Sequence, residues 1–310
     1  MRGRGVCLLA ALLAGLASNG AAYETDQYSH RLTPLRDSMP VLNREVNAAI
    51  TEIAVGMHGA RDDQRMVMAV FHRLGGYHWV DHLERWAMNS SEVEKLPTPR
   101  RRSIYRGLPL HATRVSAFFG IGPTFLVGDS LIGSDKIGHF FSQGRKFWQR
   151  WRRSGDEQRA ADIAARIEDG IFGGVSTGTY SNSDLVANYE GYRFYRSLFE
   201  DEVTAGKPAI LRWHHGQWQM QRPFDWADHV NAYWDEALNP SAYAPALRRA
   251  LRHRLLTTLC ADYAHTPASY QLDPDLDLAL ASRYQSLRLR ADAALRLDSV
   301  CGDGVVPAEK

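Results

Sequence analysis

The sequence is short of cysteine, of net charge and of long apolar runs. Its 310 residues hold three cysteines, none spaced C-x-x-C. That excludes a disulfide-dense scaffold, a thioredoxin-type redox motif and a cysteine-rich zinc site. Lys and Arg number 37 against 35 Asp and Glu, a formal charge of +2. No overall field therefore draws the chain to nucleic acid. Beyond the first 22 residues no stretch approaches the ~20 apolar residues of a membrane span. Repeats and low-complexity tracts are absent. With 45% hydrophobic and 23% charged residues, general disorder is excluded too.

What is present begins with an export signal. In Met1 to Ala22, Arg2 and Arg4 give a positive start, Cys7 to Ser18 an apolar core, and Gly20-Ala21-Ala22 the small residues of a cleavage site. Arg2 and Arg4 are not a twin-arginine pair, and Cys7 lies too early for a lipoprotein cysteine. The expectation is a periplasmic or secreted protein with no transmembrane anchor after cleavage. Arg2 and Arg4 leave with the signal, so the remaining chain is electrically balanced, with no electrostatic reason to bind nucleic acid or an anionic membrane. Cys260 and Cys301 also remain, and an even number of cysteines in an oxidising compartment points to a disulfide. Two free buried thiols are the alternative.

Helical periodicity dominates the rest. The pattern predicts helices over Leu42–His58, Asp62–Met88, Asp135–Arg153, Asp156–Phe172, Ser183–Glu202, Asp225–Leu238, Ala244–Tyr263 and Leu276–Leu297. Gly120–Gly133, apolar and glycine-rich, reads as a buried loop. Ala209–Arg222 alternates around a central His-Gly and reads as a β-hairpin. The expected fold is mainly α: one soluble, bundle-like helical domain over 23–310 with a small hairpin near 209–222. Sub-regions 23–205 and 206–310 are possible.

Chemistry concentrates in the middle. Asp135 and His139 are four apart on one predicted helix, and Asp184 and Asn188 repeat the spacing on another. Glu168 lies near the end of the helix between them. All sit in apolar or small-residue surroundings, where a charge must be paired, metal-bound or open to a cleft. His139 with Asp135, Glu168 and Asp184 makes a nitrogen-plus-carboxylate set suited to a divalent metal such as Zn or Mn. The same residues suit metal-free acid–base work, with His139 as proton carrier and carboxylates raised by burial. They also suit a buried polar network that fixes helix register.

The order Asp135-Lys136-Ile137-Gly138-His139-Phe140, then Glu168, then Ser181-Asn182-Ser183-Asp184-Leu185-Val186-Ala187-Asn188-Tyr189-Glu190-Gly191 resembles the signature of VanZ-like proteins and related small bacterial envelope lipoproteins. The resemblance covers residues 135–191 and implies a cell-envelope protein. VanZ-like proteins cross the membrane several times, which this sequence does not predict, and the part from Lys207 on lies outside the pattern. Two functions follow as expectations. One is a metal-assisted or acid–base hydrolase of an envelope component. The other is a non-catalytic factor binding a cell-wall ligand, a lipid-linked ligand or a partner protein.

Other features compete. Gly128-Asp129-Ser130-Leu131 resembles the nucleophile block of GDSL-type serine esterases, and Asp262-Tyr263-Ala264-His265 their later D-x-x-H block. A plain turn followed by a helix cap at Ser134 is the preferred account of the first, in a chain that lacks the alternating strands and helices of that fold. His78, Asp81 and His82 share a helical face, as metal ligands or as structure. His214-His215 falls at the hairpin turn. Trp213, Trp218, Trp226 and Trp234 make the region after 209 aromatic, as a sugar-stacking surface or a packed core. Asp235 and Glu236 are further candidates for the central cluster. Arg100–Arg102 and Arg150–Arg153 read as solvated surface.

Overall fold

The computed structural model describes residues 23–76, 80–108, 120–170, 178–291 and 295–302. The expected export signal, His78, Trp79 and Phe172 lie outside the described residues.

The fold is mainly helical, with short strand pairs between helices. Strand β1 (Tyr23–Glu24) is followed by α1 (Met39–Gly56), α2 (Asp63–Leu74) and α3 (His82–Asn89). The helix expected over 62–88 is thus two. It breaks at Gly75–Gly76, where Gly76 holds φ 135°, a conformation that side chains with a Cβ resist. Asp62 caps α2 by accepting from Arg65 N. Asp81 and Glu84 form a capping box on α3.

Residues 120–133 are not a loop. They form β2 (Gly120–Ile121), which pairs in parallel with β1, and an antiparallel hairpin of β3 (Thr124–Val127) and β4 (Ser130–Gly133). Both hairpin strands are largely buried, so they show no polar alternation to read in sequence. Next come α4 (Asp135–Gly138), a π-turn over His139–Gln143, and α5 (Gly144–Ser154). Then follow α6 (Glu157–Asp169), β5 (Thr179–Tyr180) and α7 (Asn182–Ser197). Asp156 caps α6 and Ser181 caps α7.

The expected hairpin is present as β6 (Leu211–His214) and β7 (Gln217–Met220). Its turn residues, His215 and Gly216, have φ 47° and 78°. The helix expected over 225–238 is replaced by two 3₁₀ turns, Trp226–Asp228 and Ala232–Trp234. Asp225 accepts from Ala227 N, Asn231 from Tyr233 N and Asp235 from Ala237 N. These local side-chain bonds compete with a helix for the same backbone groups. The chain ends with β8 (Ala242–Tyr243), α8 (Pro245–Thr258), α9 (Cys260–His265), α10 (Pro274–Arg283) and α11 (Leu297–Gly302). The single helix expected over 276–297 is therefore also interrupted.

One large hydrophobic cluster runs from α1 and α2 through α5, α6 and α7 into the hairpin and the 224–234 segment. Trp218, Trp226 and Trp234 are core residues there. A second cluster joins Ile104 and Tyr105 to Leu247, Leu251 and Leu255 of α8 and to Val300 and Cys301 of α11. Its helices are stapled by the disulfide Cys260–Cys301, 41 residues apart in sequence. Closing a loop of that length contributes about 4 kcal/mol in the chain-entropy description. Among the described residues no helix is long and apolar enough to cross a membrane.

Candidate functional site

Two helix starts build the site. α4 opens at Asp135, and one turn later His139 begins the π-turn. A single π-turn inserted in a helix re-aims side chains and is frequent at functional sites. α7 opens with Asp184 in its first turn and Asn188 one turn on. α5 and the π-turn cross α7 where Gly144 meets Gly191. A Cβ on Gly144 would stand 2.5 Å from Gly191 Cα. The absence of side chains there brings the two acid-bearing segments together.

Lys136 is the hub. Its side chain is fully buried, and Nζ donates to Asp135 Oδ2 at 2.7 Å, Asp184 Oδ1 at 2.5 Å and Glu236 Oε1 at 2.8 Å. His139 bridges the remaining groups. Its Nε2 is 3.1 Å from Asp184 Oδ2, and its Nδ1 is 3.1 Å from Asn188 Oδ1. Its side chain is 25% exposed against 12% for Asp135 and Asp184, so the cluster meets solvent on the histidine side. Ser181 and Ser183 hydroxyls both donate to Glu236 Oε1, at 3.3 and 3.2 Å. Asp135 Oδ1 is buried without a hydrogen-bond partner among the described residues.

Four of the five expected residues, Asp135, His139, Asp184 and Asn188, therefore meet. Glu168 comes to the edge, where its Oε1 accepts from Ser181 N at 3.1 Å. Of the two later candidates, Glu236 joins the hub. Asp235 turns away to Arg31, whose Nη1 stands 2.5 Å from its Oδ2. Lys136 entered the sequence reading only as a letter of the 135–191 pattern and not as a site residue, although a lysine between Asp135 and an apolar run was the available signal. Glu24 and Glu84 escaped it as well, since β1 and α3 are remote in sequence. Asp81, expected beside His78 and His82, instead receives the Ser142 hydroxyl between its two oxygens, with Oγ 2.7 and 2.8 Å from them, while His82 is exposed. His214 and His215 remain at the exposed hairpin turn. Ser130 lies in β4 and Asp262 with His265 in α9, and no hydrogen bond among the described residues joins Ser130 to either.

The electrostatics follow from one buried cation among many acids. Burial disfavours the Lys136 ammonium, but Asp135, Asp184 and Glu236 raise its pKa well above the ordinary lysine value. Burial also works against Asp184, yet His139 and Lys136 hold it below the usual range. The other carboxyls lack enough cations. Burial pushes Glu168 up to about 8, with Asp184 adding to it. Burial likewise pushes Glu236 up to about 7, although Lys136 pulls it back. Glu84 is raised well above its ordinary value by burial and by Asp135 and Asp81, and Glu24 by burial and by Glu236 and Asp184.

Glu168 and Glu236 thus keep a proton in the folded chain at pH values where the unfolded chain has lost it. Their contribution is fully present below about pH 4.5 and is lost as pH rises through about 7 to 8. Denaturant unfolding across that range is expected to show a loss of several kcal/mol of stability from these groups. Glu168→Gln, which retains an acceptor for Ser181 N, should flatten the alkaline part of the loss. An unchanged profile in that variant would contradict the assignment.

No family model matches the chain, nor does any curated protein or solved structure.

Proposed function

We propose that Asp135, His139 and Asp184 bind a divalent metal such as Zn or Mn, in an exported hydrolase that acts on a component of the cell envelope. The observation that carries this is convergence. One carboxylate oxygen of Asp135, one of Asp184 and a ring nitrogen of His139 lie within 4.8 Å of one another. The second contact of each ligand supports it. Asn188 offers a carbonyl oxygen to His139 Nδ1, which makes Nδ1 the donor and turns Nε2 towards Asp184 Oδ2. A proton or a metal ion can occupy the place between Nε2 and that oxygen. Lys136 fixes one oxygen of each carboxylate and so orients the other. A bound divalent ion would supply Lewis acidity and an activated water. Glu168, protonated at neutral pH, carries the kind of proton that a leaving group takes up. The resemblance over 135–191 and the disulfide favour the periplasm or another oxidising exterior space.

One observation favours a second reading. The Lys136 ammonium already contacts three carboxylates, which suits a non-catalytic envelope factor whose polar centre sets helix register.

Metal analysis of the purified protein beside His139→Ala separates the two. About one Zn or Mn per chain, lost in His139→Ala together with at least about tenfold in affinity on titration, is the expected result. Absence of metal at any added concentration, with a large stability loss in His139→Ala, would favour the second reading. Full stability and unchanged host function in His139→Ala would remove the centre from the function altogether.

A further inference from the structure

The near-zero charge of the chain hides a strongly basic face. Among the described residues nine acidic side chains are buried, but only two basic ones, Lys136 and Arg145. The interior thus withdraws carboxylates, and the solvent-facing surface keeps an excess of arginine. That excess is concentrated. α8 (PALRRALRHRLLTT) contains no acidic residue, and Asp262 is the only one from Pro245 to His265. Leu247, Leu251 and Leu255 are its buried stripe, which leaves Arg248, Arg249 and His253 exposed.

A second basic segment lies against it. The sequence between Glu94 and Asp129 has no acidic residue, and within it the 3₁₀ turn Arg100–Arg102 and Arg106 are exposed. Ile104 and Tyr105 pack in the same hydrophobic cluster as the α8 leucines. Arg254 Nη2 donates to Arg106 O at 2.6 Å, which ties the two segments directly. Two arginine runs about 150 residues apart in sequence thus form one surface, which neither run announces alone.

We propose that this face, α8 with residues 100–106, docks on a membrane surface bearing anionic phosphate headgroups. Arginine offers paired N–H donors that match phosphate oxygens. A row of such charges beside an acid-free stretch complements a layer of phosphodiesters. The apolar side of α8 is already buried in its own cluster, so binding is peripheral and electrostatic, without insertion. The disulfide Cys260–Cys301 staples this same part of the fold. That favours an oxidising compartment, where lipid headgroups are the abundant phosphate surface and nucleic acid is not.

The test is flotation of the full-length mature chain with phosphatidylcholine vesicles, with and without about one third phosphatidylglycerol, at low and high salt. Binding is expected only to the anionic vesicles, and it should fall as salt screens it. The variant Arg101→Ala/Arg102→Ala/Arg249→Ala removes three exposed charges and should weaken partitioning about a hundredfold, at about fivefold per charge. Arg152→Ala/Arg153→Ala, on the exposed end of α5, should leave it unchanged. Equal binding to neutral vesicles, or no effect of the triple variant, overturns the proposal. So does binding to duplex DNA with no binding to the anionic vesicles.

Discussion

Lys136→Met is expected to remove most of the stability of the fold. Nζ is the shared partner of Asp135, Asp184 and Glu236, at 2.7, 2.5 and 2.8 Å, and the lysine side chain is wholly buried. Methionine fills a similar volume, so the loss is electrostatic rather than a cavity. Breaking a buried ion pair from one side costs about 3–5 kcal/mol, because the abandoned charges stay desolvated. Here three carboxylates are abandoned, in a protein of ordinary total stability of about 5–15 kcal/mol. The sign of the pH dependence follows. Without the ammonium Asp135 and Glu236 rise further and Asp184 loses one of the two groups that hold it low, so the variant should be closer to wild type near pH 5 than near pH 8. Adding Glu236→Gln should restore part of the loss, since one abandoned charge is then gone. Chemical denaturation of the three proteins at both pH values measures all of this. A loss under about 1 kcal/mol at pH 8 would mean that Lys136 is not the counter-charge of the centre.

The same hub shows what a sequence can and cannot announce. Asp135 and His139, and Asp184 and Asn188, were legible because helical spacing places residues four apart on one face. Each pair needs only local structure to be correct. Glu236, 100 residues from Lys136, could be named only as one of two further candidates with Asp235, because it sits after a 3₁₀ turn that the helical pattern disguised. Glu24 and Glu84 were not legible, since β1 and α3 are remote in sequence from the two pairs. The disulfide was legible because, with the expected export signal set aside, only Cys260 and Cys301 remain to pair. The β3–β4 hairpin was not, because strands buried on both faces lose the alternation that marks them. The aromatic region after 209 read as a sugar-stacking surface or, in preference, as a packed core. It is largely core, since Trp218, Trp226 and Trp234 are buried and Phe140 lies 4.8 Å from Trp226 between ring centres.

α7 is held from its other side by a second buried charge cluster. Glu190 Oε1 accepts from Arg283 Nη2 at 2.6 Å, Tyr284 OH at 2.8 Å and Arg193 Nη1 at 3.2 Å, while Oε2 faces His229 Nδ1 at 3.2 Å. Burial alone would raise this carboxyl, but His229 and the two arginines bring it down to about 2. It therefore stays ionised where Glu168 and Glu236 do not. The rotation of α7 is fixed on one side by that ionised group. On the other it is fixed by the crossing with the π-turn and α5.

That crossing gives the second large expectation. Gly191→Ala should destabilise the protein by about 3 kcal/mol or more, although alanine is the better helix former by about 1 kcal/mol. A Cβ at 191 would stand 1.9 Å from Phe140 O, 2.7 Å from Phe140 C and 3.0 Å from Gly144 Cα. Every one of these neighbours is backbone, so none can swing aside, and the helices must part. Phe140 follows His139 in the π-turn, and Asn188 and Asp184 lie on the displaced helix. The 3.1 Å contacts of His139 to both should therefore lengthen as the fold weakens. Two measurements belong together: unfolding free energy, and the affinity for Zn or Mn that the centre is proposed to have. Both should fall in Gly191→Ala. Gly56→Ala, at the end of α1 where a Cβ meets nothing within 4 Å, should change neither by more than a small amount. A Gly191→Ala protein with wild-type stability would mean that the helices do not approach this closely, and the placement of His139 against Asp184 would fall with it.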